Sequence, residues 1–178
     1  ASFAPIADIY ALLRSSDRFV RYSGRLALEH TPRREWVAMV MRETDVVALT
    51  AGLLALTNTA ALATEPAALP SELRPIFEKL IALMRQTALP ADQKIRILRT
   101  FQIAATEAPG GVDPEIRKTV HDILIAQFPV APPPATYLGC TNLTEPAAAC
   151  AVTMMTHHMA KVLAYAGEPD VIGKILAV

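Results

Sequence analysis

The sequence predicts an all-α fold, and three observations carry that prediction. Apolar residues recur at spacings of three and four along most of the chain, the period of one helix face. Alanine and leucine, both strong helix formers, supply much of the 52% hydrophobic content, while β-branched runs are short. Ser, Thr or Asp stands before many of these segments, where its side-chain oxygen can cap a helix. At 178 residues the chain is long enough for one domain with a real core, so 1–178 is read as a single unit.

The first helix is expected over residues 5–13, with Ile6, Ile9, Tyr10 and Leu13 on one face. Ser15-Ser16-Asp17 stops it and caps a second helix over 18–29, whose expected apolar face is Phe19, Tyr22 and Leu26. Thr31-Pro32 opens a third, a cap followed by proline at the first helical position, with Trp36, Val37, Val40 and Met41 inward. Thr44-Asp45 opens a fourth carrying Val47, Leu49, Leu53, Leu54 and Leu56. Residues 58–70 read as an alanine-rich connection. Ser71 is then expected to cap a fifth helix, with Pro75 in its first turn, where a missing amide proton costs little.

Pro90-Ala91-Asp92 opens a sixth helix with Ile95, Leu98, Phe101 and Ile103, ended by Pro109-Gly110-Gly111. Asp113-Pro114 starts a seventh with Ile116, Val120, Ile123, Leu124 and Phe128. Residues 129–146, with Pro132-Pro133-Pro134, cannot continue a helix and form an irregular loop longer than a compact domain needs. An eighth helix is expected over 147–165, ending at Gly167, a natural residue just past a helix C-terminus. Pro169-Asp170 opens a ninth, which stops in mid-pattern at Val178. The chain also begins on Ala1 without a basic-then-apolar leader pattern, and together these ends suggest a piece of a longer protein.

Cys140 and Cys150 bracket the second part of the Pro-rich loop. A disulfide between them would restrain it, contributing about 3 kcal/mol in the loop-entropy model, and would place the chain in an oxidising compartment. Two unrelated thiols are the alternative. Asn142-Leu143-Thr144 fits a glycosylation sequon, relevant only in a eukaryotic source. With 17 basic and 17 acidic residues, the balance gives no reason to expect nucleic acid or an anionic membrane as main partner. No run of 18 or more apolar residues free of charges or breakers marks a membrane span.

An internal echo separates a plain bundle from stacked hairpins. With Asp17 set on Asp45, an offset of 28 residues, Gly24-Arg25-Leu26-Ala27-Leu28 falls on Gly52-Leu53-Leu54-Ala55-Leu56. A weaker echo begins at Asp92. Small residues beside leucines let helices approach closely, which is how stacked hairpins share a core. The run from Ser16-Asp17-Arg18-Phe19 through Gly24-Arg25-Leu26-Ala27-Leu28-Glu29, with Pro32 and Trp36, resembles a HEAT-repeat unit. It is similar to the HEAT-like region of large exported bacterial proteins that also carry c-type haem or sugar-dehydrogenase-like domains. Phe128-Pro129, Met159-Ala160-Lys161-Val162-Leu163-Ala164-Tyr165 and Glu168-Pro169-Asp170-Val171-Ile172-Gly173-Lys174 fit the same pattern. The resemblance implies HEAT-like stacked hairpins in an irregular α-solenoid, an exported location and a scaffolding role, with no catalytic residue. The Cys140–Cys150 insert departs from it, and no Cys-x-x-Cys-His for covalent haem occurs.

Two residue groups suggest binding chemistry. In Met154-Met155-Thr156-His157-His158-Met159, thioethers and imidazoles at helical spacing suit Cu(I) or haem; the plainer alternative is core methionines with surface or interface histidines. Arg14, Arg18, Arg21 and Arg25 are spaced to share a helical stripe, although Ser15-Ser16-Asp17 interrupts it. Arg33 and Arg34 extend the cluster. Its functional meaning would be an anionic partner (a polysaccharide, a phosphate or an acidic subunit), and the alternative is a solvated face with local acids. His121-Asp122, adjacent on a helix, are not expected to form a dyad, and His30 ends the second helix, where a cation complements its dipole. No nucleotide-binding, nucleophile-elbow or zinc-protease motif occurs. The expectation is a non-catalytic structural or protein-interaction module of an exported protein, binding protein domains, subunits or itself and needing no cofactor. The alternative is a haem- or copper-binding electron-transfer element using Met154, His157, His158 and Met159.

Overall fold

The computed structural model describes residues 5–63, 68–108, 111–128, 147–166 and 173. Among them are eight α-helices and no strand: α1 (Ile6–Leu12), α2 (Arg18–Glu29), α3 (Val37–Arg42), α4 (Val46–Ala63), α5 (Leu69–Met84), α6 (Ala91–Thr106), α7 (Pro114–Ile125) and α8 (Ala147–Ala166). A single 3-10 turn, Arg33–Glu35, precedes α3. The expected ninth helix, the loop at 129–146, Cys140, Asn142 and the side chain of Cys150 lie outside the described residues. None of the described helices is long and apolar enough to cross a membrane.

Local chemistry sets the helix starts. The Asp17 carboxylate accepts from the Phe19 amide at 2.7 Å and from the Val20 amide at 3.4 Å, so α2 begins at Arg18. Asp113 does the same for Glu115 and Ile116, with Pro114 at the first helical position, where no amide proton is needed. Asp45 accepts from the Ala48 amide at 2.8 Å and starts α4. The fifth helix differs from expectation. Ser71 is not its cap, because the Ser71 and Glu72 amides already bond to the Ala68 carbonyl and the helix starts at Leu69. That earlier start moves Pro75 from the first turn into the helix interior. The segment at 58–63, expected as connection, is the end of α4, as its alanines and leucine favour.

The helices pack as neighbours in sequence. α1 lies on α2, α3 on α4, α5 on α6 and α7 on α8. The even-numbered helices also pack in a row, α2 on α4, α4 on α6 and α6 on α8. One apolar core runs through the described part, from Ile9 to Leu163. α4 is buried on nearly all sides, and its Thr50 and Thr57 hydroxyls donate to the Val46 and Leu53 carbonyls one turn back, so burial leaves no orphaned proton.

The 28-residue echo has a geometric meaning. A Cβ added at Gly24 would lie 2.8 Å from the Leu12 Cβ of α1, and one at Gly52 would lie 2.8 Å from a Val40 methyl of α3. Each glycine is the point where a helix meets its hairpin partner. This corrects the expected inward face of α2. Phe19 and Tyr22 are 66% and 53% exposed, while Gly24 and Leu28 face the core.

Candidate functional site

Three helices of the even row build a groove of about 480 Å³. α2 contributes Arg18, Arg21, Tyr22 and Arg25, and α4 contributes Val47, Thr50, Ala51 and Leu54. Both sets follow the spacing i, i+3, i+4, i+7, one face of each helix. α6 adds Asp92, Ile95, Arg96, Arg99, Thr100 and Ile103. α4 packs against both α2 and α6, so its small and aliphatic side chains form an apolar floor between two arginine-bearing walls.

The guanidinium groups have few acids to meet. Arg25 is the exception, bonding Glu29 at 2.6 Å, and Glu29 also accepts from Asn58 of α4 at 2.8 Å. Arg21 donates to the Ser15 and Ser16 carbonyls at 2.5 and 2.8 Å, closing the α1–α2 connection. Arg18 lies over the Phe19 ring at 4.6 Å and Arg25 over Tyr22 at 5.0 Å. Among the described residues, Arg18, Arg21, Arg96 and Arg99 form no ion pair, and the buried Nε of Arg96 meets no acceptor. Asp92 is the single carboxylate among the lining residues. Burial and then the Arg96 charge draw Arg21 below the ordinary arginine range, partly offset by Asp17. An anion entering the groove would relieve that repulsion, since opposite charge favours the ionised form.

Three of the four arginines expected to share a stripe therefore do meet in one groove. Arg14 does not. It pairs at 2.7 Å with Glu43, whose side chain is nearly fully buried and also accepts from the Thr44 and Asp45 amides. Burial and then Glu43 hold the nearby Tyr10 phenol above its ordinary range. Arg33 bonds Glu72 and ties the 3-10 turn to α5. Arg96 and Arg99 carry no local signal that joins them to α2. One clue does exist: the echo that begins at Asp92 sets Arg96 four residues past the acid, as Arg21 stands after Asp17.

The Met/His run is divided by the helix that carries it. Met155 and Met159 line a small apolar gap with Leu83, Ile97, Leu98 and Leu124. His158 is buried, and its Nδ1 lies 3.2 Å from the Gln102 amide nitrogen of α6, which also donates to the His158 carbonyl at 3.0 Å. Met154 and His157 are exposed. Thus Met154 and His157 lie at the surface while His158 and Met159 are buried, and among the described residues no three His, Cys, Asp or Glu side chains are placed to hold a metal. His121 and Asp122, not expected to form a catalytic dyad, approach to 3.1 Å, and Lys118 also bonds Asp122 and, ahead of His121, holds it below the usual carboxylate range.

Burial first, then the charges of His157, Arg99 and Lys161, hold His158 below the ordinary histidine value of 6.5. The unfolded chain therefore binds this proton more readily than the folded one. The stability contributed by neutral His158 is complete above about pH 6.5 and is lost as pH falls from there through the depressed folded value. The unfolding free energy, measured in urea between pH 7.5 and 5, is expected to drop more steeply for the native chain than for His158→Gln. Parallel pH profiles would remove His158 as the cause.

The chain matches no family model, no curated protein and no solved structure.

Proposed function

We propose that the chain is an irregular α-solenoid of HEAT-like hairpins, a non-catalytic interaction module of an exported protein or assembly, whose arginine groove docks an anionic partner. The observation that carries this reading is the convergence of five arginines from α2 and α6 on one concave surface, four of them without a carboxylate partner among the described residues. The ordered hairpins, the row of even helices and the equivalent glycines at the first two crossings support the stacked arrangement. The HEAT-like resemblance and the cysteine pair support an exported location.

The test uses fluorescent poly-glutamate of about 20 residues, followed by anisotropy at low and physiological salt. Binding should weaken as salt rises, because exposed charges are screened. Arg18→Glu combined with Arg99→Glu changes two exposed groove residues on opposite walls and should weaken binding at least tenfold. Arg34→Glu combined with Arg85→Glu alters net charge equally, away from the groove, and should leave binding within about twofold. Absence of binding, or an equal loss in both double variants, would remove the docking surface from the reading.

A further inference from the structure

The shape and surface of the groove identify its occupant more closely than charge does. The arginine stripe of α2 covers two turns, about 10 Å along the helix, and the stripe of α6 from Asp92 to Ile103 covers about 16 Å. Both walls pack on α4, and packed helices lie about 8–10 Å apart, so the wall axes are up to about 20 Å from each other. After the radii of the two wall helices the clear span is at most about 8–10 Å, so a further helix would sit over α4 at ordinary interhelical distance, with the long arginine side chains reaching it from either wall.

The floor adds a second requirement. Val47, Ala51 and Leu54, flanked by Ile95 and Ile103, offer aliphatic surface between the charged walls. The Thr50 and Thr100 hydroxyls donate to carbonyls of their own helices, so they present no free proton to a sugar or phosphate. A purely polar polyanion would meet the arginines and leave the floor uncovered. Exposed Phe19 and Tyr22 beside Arg18 and Arg25 give the α2 rim the aromatic and arginine composition of protein–protein hot spots.

We propose that the groove binds an acidic amphipathic α-helix of a protein partner. Its apolar residues, spaced i and i+4, cover Ala51 and Leu54, and its flanking carboxylates meet Arg18 and Arg21 on one side and Arg96 and Arg99 on the other. The inference rests on the docking role of the groove and adds the class of partner.

Calorimetry with the whole chain and synthetic peptides of equal negative charge tests it. The first peptide is a helix of about 16 residues with a leucine stripe between two glutamate stripes. The second has the leucines replaced by serine, the third has a central proline that breaks the helix, and poly-glutamate is the fourth. The leucine helix should bind at least tenfold more tightly than the second and third. Leu54→Ser should reduce that advantage severalfold and leave poly-glutamate binding unchanged. Equal affinity for all four would overturn the helix and preserve the anionic docking surface. Binding by none would overturn both. Tighter binding of a sulfated polysaccharide or single-stranded DNA, at matched charge, would overturn the choice of a protein partner.

Discussion

Trp36→Ala is expected to lower the unfolding free energy by about 3–5 kcal/mol, the cost of deleting a fully buried large aromatic side chain. Trp36 is 0% exposed, at the junction of the 3-10 turn and α3. Its Nε1 donates to the Thr31 carbonyl at 3.0 Å, and the Thr31 hydroxyl in turn bonds the Ala27 carbonyl at the end of α2. The substitution therefore opens a void and also removes the donor that satisfies a carbonyl in a buried place. Domains are stable by only about 5–15 kcal/mol, so the loss takes a large share of the total. Trp36→Phe separates the two contributions. It keeps most of the volume, loses the hydrogen bond and should cost about 1–3 kcal/mol. Urea unfolding followed by helical circular dichroism measures both. A loss below about 1 kcal/mol for the alanine variant would mean that the indole does not hold this junction together.

Gly24→Ala and Gly52→Ala form the second prediction, and its interest lies in the sign. In a helix interior alanine is normally favoured over glycine by about 1 kcal/mol. Here the added methyl meets a helix already in contact. At Gly52 the obstacle is the two methyls of Val40, at 2.8 and 2.9 Å, on a fully buried β-branched side chain with little rotamer freedom. At Gly24 it is the Leu12 Cβ at 2.8 Å and the Ile9 carbonyl oxygen at 3.3 Å, which cannot turn away. Both variants should be destabilised by about 1–3 kcal/mol, Gly24→Ala the more strongly. Val40→Ala should partly rescue Gly52→Ala and have no such effect on Gly24→Ala. Thermal melts of the single and double variants measure the coupling, and stabilisation by either glycine replacement would refute the close crossing.

Helix positions were legible in the sequence wherever a cap is a local event. Asp17 and Asp113 needed only the two or three residues after them. The buried face of α2 was not legible, because two stripes compete on that helix. Hydropathy favours Phe19 and Tyr22, whereas shape favours Gly24 and Leu28, and only the approach of α1 decides between them. Arg18, Arg21 and Arg25 could be grouped by helical spacing alone. Joining them to Arg96 and Arg99 requires knowing that α4 lies between α2 and α6, a tertiary fact. The burial of the Met/His run was not legible for a related reason. Its residues are close in sequence but distributed around a helix whose one side packs on α6.

The order in which the hairpins pack bears on how the chain reaches this state. Each helix from α1 to α8 finds its hairpin partner immediately before or after it, and the even row joins helices only two apart. From α1 to α7 the burial is thus available without first closing a long loop, whereas α8 reaches α6 and α7 only after the 21 residues from 126 to 146 are closed. The α1–α7 part therefore has the local contacts that favour fast folding, and docking of α8 is the step that carries the loop-closure cost. α4, touching α2, α3, α5 and α6, is where hairpins formed early on either side would join into one cooperative unit.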